Sequence, residues 1–167
     1  MEHTDKKVLN KSLLVLLVVV AIFVLLLLVA DKKGTPISNF TETITKQAIV
    51  NIGGQNLVAN VANTPLERKQ GLSGATFLNN KNGMLFEFEE ADYHGIWMKD
   101  MNMSIDIIWI DPQNRVVSIK ENVSPDTYPE VFKPDAPAKY VLEVMAGYVA
   151  SNNIKLGDTV MTTDIIK

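Results

Sequence analysis

The chain has 167 residues, 47% of them hydrophobic, with a net charge of −3 at neutral pH and no cysteine. The absence of thiols excludes disulfides, thiolate metal sites, a cysteine nucleophile and a lipidated cysteine as anchor. From Gly34 onward 11 Lys and Arg stand against 16 Asp and Glu, a net charge of −5 with no basic block, so binding to nucleic acid lacks its electrostatic basis.

Residues 1–12 form a short polar head, expected to be cytoplasmic. Leu13 to Ala30 follows as an unbroken apolar run, LLVLLVVVAIFVLLLLVA. As a helix rising ~1.5 Å per residue it reaches ~27 Å, close to the ~30 Å hydrocarbon core of a bilayer. A cleaved signal peptide would have an apolar core of ~7 to 15 residues, so the run reads as an uncleaved transmembrane signal anchor whose partner is lipid. Lys6, Lys7 and Lys11 precede it and Lys32 and Lys33 follow. That slight excess keeps the N-terminus inside and carries the rest of the chain to the extracytoplasmic side. Residues 31–46, rich in Thr, Ser and Lys, read as a flexible tether. Residues 47–167 remain as one domain.

That domain opens with QAIVNI and QNLVANVA about Gly53-Gly54, the pattern of a β-hairpin with positive φ at its turn. Thr64-Pro65-Leu66-Glu67 is a capping box with proline at the first helical position, and Gly71 ends the short helix it starts. MLFEF alternates, with Met84, Phe86 and Phe88 on one side and Leu85 and Glu87 on the other. Ile96 to Met98 and Ile105 to Ile110 read as strands, and Asp111-Pro112-Gln113-Asn114 as a type I turn into the returning RVVSIKEN. Residues 122–138 hold four prolines, which exclude a central strand or ordinary helix and define a long loop. KYVLEVM is a further strand, GYVASNN a helical turn, and TVMTTDI a last strand after Gly157-Asp158. The expectation is a mostly β domain, a small sandwich or barrel with short helical insertions, behind one transmembrane helix.

Five blocks in this order, ERKQGLSG from Glu67, NGMLFEF from Asn82, IWMKDMNMSIDIIWID from Ile96, YVLEVMAG from Tyr140 and IKLGDTV from Ile154, resemble the family called Domain of Unknown Function 192. The likeness runs from about Val50 to Val160. It implies a small, mostly β domain found behind signal peptides or anchors, and it implies no activity. The family's characteristic positions fall here on Arg68, Gly71, Leu72, Gly83, Met84, Phe86, Trp97, Met98, Lys99, Asp106, Asp111, Leu142, Glu143, Gly147, Gly157 and Asp158. Met101 and Ser104 stand where the pattern more usually has Thr and Pro.

Asp106 shares a strand face with Ile108 and Ile110, and Glu143 one with Val141 and Met145. A carboxylate on an apolar face needs a partner or a raised pKa, and Arg68 is the natural candidate. One reading is a buried bidentate pair that locks the short helix to the sheet. The other makes Arg68, Asp106 and Glu143 a polar cleft floor with an acid or base opposite an anion-gripping guanidinium. Glycoside chemistry on two carboxylates would require them ~5 to 9.5 Å apart.

His94, Met98, Met101 and Met103, near Trp97, offer imidazole and thioether ligands suited to Cu(I), against the ordinary use of Met and Trp as core fillers. No Gly-x-Ser-x-Gly elbow and no phosphate-binding glycine loop occurs. The leading expectation is a binding module of the cell envelope, without a cofactor, that binds a small ligand or a partner, an envelope protein or glycan, through residues 92–104 and 122–138. Trp97, Met98, Lys99, Tyr128 and Phe132 are the contact candidates. The alternatives are a carboxylate-dependent enzyme acting on an envelope polymer and a Cu(I)-binding protein.

Overall fold

The structure, a computed structural model, describes residues 46–165. The expected head, the apolar run from Leu13 to Ala30 and the tether up to residue 45 lie outside the described residues. Among the described residues no helix is long and apolar enough to cross a membrane.

Strands β1 (Gln47–Ile52) and β2 (Gln55–Ala62) pair antiparallel across Gly53 and Gly54, whose φ angles of +58° and +73° give the two-residue turn. Helix α1 (Pro65–Gln70) starts as its sequence dictates. The Glu67 amide donates to Thr64 Oγ1 at 3.2 Å, and Glu67 Oε2 accepts from the Thr64 amide at 2.9 Å. Gly71, at φ +49°, stops it. The segment through α1 is a crossover, so β3 (Asn82–Asp92) lies parallel to β2. There follow β4 (Ile96–Trp97), β5 (Ile105–Ile110), β6 (Val116–Val123), a 3-10 turn (Pro125–Thr127), β7 (Val131–Phe132), β8 (Ala138–Met145), α2 (Tyr148–Ser151) and β9 (Met161–Ile165).

Seven strands form one sheet in the order β6-β5-β8-β3-β2-β1-β9, antiparallel except for β2 with β3, while β4 and β7 make a separate two-stranded ribbon. The domain is mostly β, as expected. Its sheet does not close into a barrel, and the second sheet is too small to make a sandwich of equal layers. One isolated bridge, Arg115 with Thr159, ties the approach to β6 to the approach to β9. It is supported by bonds from the Val116 amide to Asp158 O at 2.9 Å and from the Gly157 amide to Val116 O at 2.8 Å.

Alternation along the strands divides the core into two clusters. One collects Ala48, Val50, Ile52, Leu85, Ile108, Leu142 and Val144 beneath Tyr148 and Val149 of α2. The other collects Phe86, Ile96, Met98, Ile105, Ile107, Trp109 and Val141, with Leu72 and Phe132 packed against it. Each fully buried aliphatic or aromatic side chain contributes about 1.5–3 kcal/mol. Trp109 is fully buried, and its indole N–H donates to His94 O at 2.9 Å, holding the turn before β4 onto the sheet.

Gly83 marks the closest approach of two strands. A Cβ there would stand 2.6 Å from the Glu143 carbonyl oxygen and 3.4 Å from side-chain carbons of Leu57 and Val144. Gly83→Ala must therefore spread β3 from β8, and the expected loss is about 1–3 kcal/mol, measured as a lower urea midpoint at unchanged m-value.

Candidate functional site

The loop after α1 is fastened to the loop after β4. Gly74 N donates to Asp100 O at 2.8 Å, Ser73 Oγ to Lys99 O at 2.9 Å, and Asn102 Nδ2 to Ala75 O at 3.2 Å. Between these loops and the sheet lies a cleft of about 240 Å³. Arg68 and Lys69 of α1, the following Leu72, Phe86 and Phe88 of β3, Ile96 and Trp97 of β4, Met101, and Glu143 of β8 are among its walls.

Glu143 is 4% exposed. It sits in register with Met84 on one side and Ile107 on the other, among apolar neighbours. No ion pair or hydrogen bond to its carboxyl group occurs among the described residues. Burial pushes its pKa up to about 8, so the group is mostly protonated at neutral pH. Arg68 does not pair with it. Instead Arg68 Nη1 donates to Asn63 O and to Glu87 O, both at 2.8 Å, and the guanidinium carbon stands 5.1 Å from the centre of the Phe88 ring.

Asp106 is not part of this cleft. It is opposite Val144 where Ile107 is opposite Glu143, and this offset of one residue puts the two acids on opposite faces of the sheet. Asp106 is fully buried, and its oxygens accept from the Asn122 amide at 2.8 Å and the Val149 amide at 2.9 Å. The expected alliance of Arg68 with both acids is therefore replaced by three separate arrangements. Arg68 is held by backbone carbonyls, Asp106 by backbone amides, and Glu143 by neither.

The contact candidates also divide. Trp97 and Tyr128 are exposed and meet edge to face, ring centres 6.2 Å apart, where β4 passes the 3-10 turn. Lys99 is exposed and paired with Asp100 at 2.7 Å. Met98 is buried, whereas Phe132 is half-buried, packed against the core. Of the four residues considered for copper, Met101 alone lines the cleft. His94 stacks on Phe88 at 3.6 Å with Nε2 2.9 Å from Glu90 O, and Met103 packs against the core.

Phe86, Phe88 and Leu72 were not foreseen as cleft residues. The alternation of MLFEF put both phenylalanines on the buried side, but the sequence carried no signal that α1 would stop short of covering them. Also unforeseen is a depression of about 510 Å³ between residues 77–80 and 145–152, lined among the described residues by no charged side chain.

The chain belongs to the Domain of Unknown Function 192 family, described as an uncharacterised ACR, whose sequence profile matches residues 48–162. Four of the five sequence blocks that carry this likeness contribute walls to the cleft. Comparison with curated proteins finds no match. Among solved structures, a protein from Sinorhizobium meliloti described as a candidate transcription regulator is 27% identical with a TM-score of 0.64, covering 70% of this chain and 92% of its own. A protein of unknown function from Novosphingobium aromaticivorans is 29% identical with a TM-score of 0.62, covering 69% of this chain and 83% of its own.

Proposed function

We propose that this protein is a binding module of the cell envelope, tethered to the membrane through Leu13 to Ala30, that takes a small ligand in the cleft over Glu143. The observation that carries the reading is the unpartnered carboxyl group at the floor of that cleft. Buried polar groups in folded proteins are nearly always hydrogen-bonded, because an unsatisfied one costs about 1–3 kcal/mol. The Glu143 carboxyl group has no protein partner among the described residues and lines the cleft, so it is free to hydrogen-bond a ligand there.

Trp97 lines the cleft, and its exposed ring, which meets Tyr128 edge to face, suits the apolar part of a ligand. Chemistry on two carboxylates is less well supported, since among the described residues Glu143 is the only acidic residue lining the cleft and Asp106 faces the other way. The regulatory description of the Sinorhizobium relative is not extended to this chain, whose excess of acidic residues opposes DNA binding.

Methionine methyl NMR separates the two depressions, because Met101 lines the cleft over Glu143 and Met145 lines the larger one. In a screen of small polar fragments the Met101 signal is expected to move with saturable titration, and Trp97→Ala is expected to weaken that binding about tenfold. Fragments that shift Met145 alone, or binding indifferent to Trp97→Ala, would overturn the reading. The tether is tested separately by protease accessibility on intact and permeabilised cells. Digestion of residues 47–167 only after permeabilisation of the inner membrane would refute an extracytoplasmic domain.

A further inference from the structure

Resting on the reading of this cleft as a ligand site, we infer that its ligand is a small organic acid. Its carboxylate would be seated between the carboxyl group of Glu143 at the floor and the guanidinium of Arg68, with Lys69 at the rim. The inventory of charge points this way. The side chains lining the cleft include two cations, Arg68 and Lys69, and one carboxyl group, Glu143.

Arg68 is built to receive an anion. A guanidinium has five N–H donors, and Nη1 supplies two. Both go to the backbone carbonyls of Asn63 and Glu87, which fixes the plane of the group against Phe88. The three donors on Nε and Nη2 have no protein partner among the described residues. A rigidly held guanidinium with unused donors loses little further freedom when it grips a carboxylate.

Glu143, which lines the same cleft, adds a second group able to bind a carboxylate. While it keeps its proton it offers one O–H donor, and an O–H donated to a carboxylate is a short, charge-assisted bond. The cleft is smaller than the ~300–1,000 Å³ of sites for drug-sized ligands, which restricts the acid to a few carbons. The remaining walls are apolar or aromatic: Phe86 and Phe88 from β3, Ile96 and Trp97 from β4. They suit a short hydrocarbon tail. A ligand ammonium would meet Arg68 and Lys69 with like charge, and a neutral amide would leave the guanidinium without a counter-charge.

The test uses three probes of similar size, propionate, propionamide and propylammonium, titrated into the protein at pH 6 with the Met101 methyl signal as readout. Propionate is expected to bind at least tenfold more tightly than either of the others, and Arg68→Gln to abolish that preference. Between pH 6 and pH 9 propionate binding should weaken about tenfold as Glu143 loses its proton. In Glu143→Gln, whose amide keeps a donor at every pH, that loss should disappear. Equal or tighter binding of the amide or the ammonium at Met101 overturns the assignment to an acid while leaving the cleft as a ligand site. If none of the three moves Met101, the assignment to an acid fails as well. The cleft itself then stands or falls by the fragment screen described above.

Discussion

Glu143→Gln is expected to make the domain more stable at alkaline pH and to flatten its stability profile. The carboxyl group has an ordinary pKa of 4.5 when the chain is unfolded and about 8 in the folded protein. Between those values the unfolded chain gives up a proton that the folded one retains, so stability falls as pH rises. The favourable contribution of the neutral, buried group is fully present below pH 4.5 and is lost once pH passes the folded value of about 8. A difference of this size corresponds to about 5 kcal/mol across the window. Thermal melts of the wild-type domain from pH 5 to pH 9 should therefore decline steeply, whereas Glu143→Gln should follow a shallower line. Parallel profiles for the two proteins would show that Glu143 is ionised in the fold, and would remove the neutral donor on which the cleft's ligand chemistry depends.

Asp106→Asn is expected to do the opposite to stability and nothing to the cleft. The two oxygens of Asp106 each accept one backbone N–H, from Asn122 at the end of β6 and from Val149 in α2. Asparagine has one such oxygen, so its amide nitrogen must face one of these donors. The cost is about 3 kcal/mol, combining a lost charge-assisted bond with a buried donor left unpaired. The melting temperature should fall by on the order of 10 °C. The Met101 signal and its response to propionate should persist, since Asp106 lies across the sheet. A variant that melts normally but no longer binds would restore Asp106 to the functional site.

Much of this architecture is legible in the sequence because it is dictated locally. The Gly53-Gly54 turn, the Thr64 to Glu67 capping box and the alternation of Met84, Phe86 and Phe88 against Leu85 are short-range patterns, and each appears where its residues call for it. The same alternation shows Asp106 and Glu143 as acids on apolar faces, and both are buried. Which face each occupies was not legible, because that depends on the register of β5 against β8, and a shift of one residue reverses it. Nor was the fate of Arg68, whose partners are carbonyl oxygens from two segments nineteen and five residues away. Side-chain chemistry predicts that a half-buried cation will find an acceptor, not that the acceptor will be backbone. The parallel pairing of β2 with β3 was equally out of reach, since no local pattern distinguishes a crossover through α1 from a hairpin.

The C-terminal strand screens the strand that begins the described domain. β9 occupies the outer side of β1, and the chain leading into β9 also touches the far end of the sheet through Arg115 and Thr159. Ending the chain at Val160 would strip the backbone amides and carbonyls of β1 of their neighbour, while Ala48, Val50 and Ile52 keep the alternation that favours pairing. Such a shortened protein should recruit a second copy edge to edge, visible as a concentration-dependent rise in mass by light scattering. Thus the short β9 covers a strand edge that would otherwise be open to pairing.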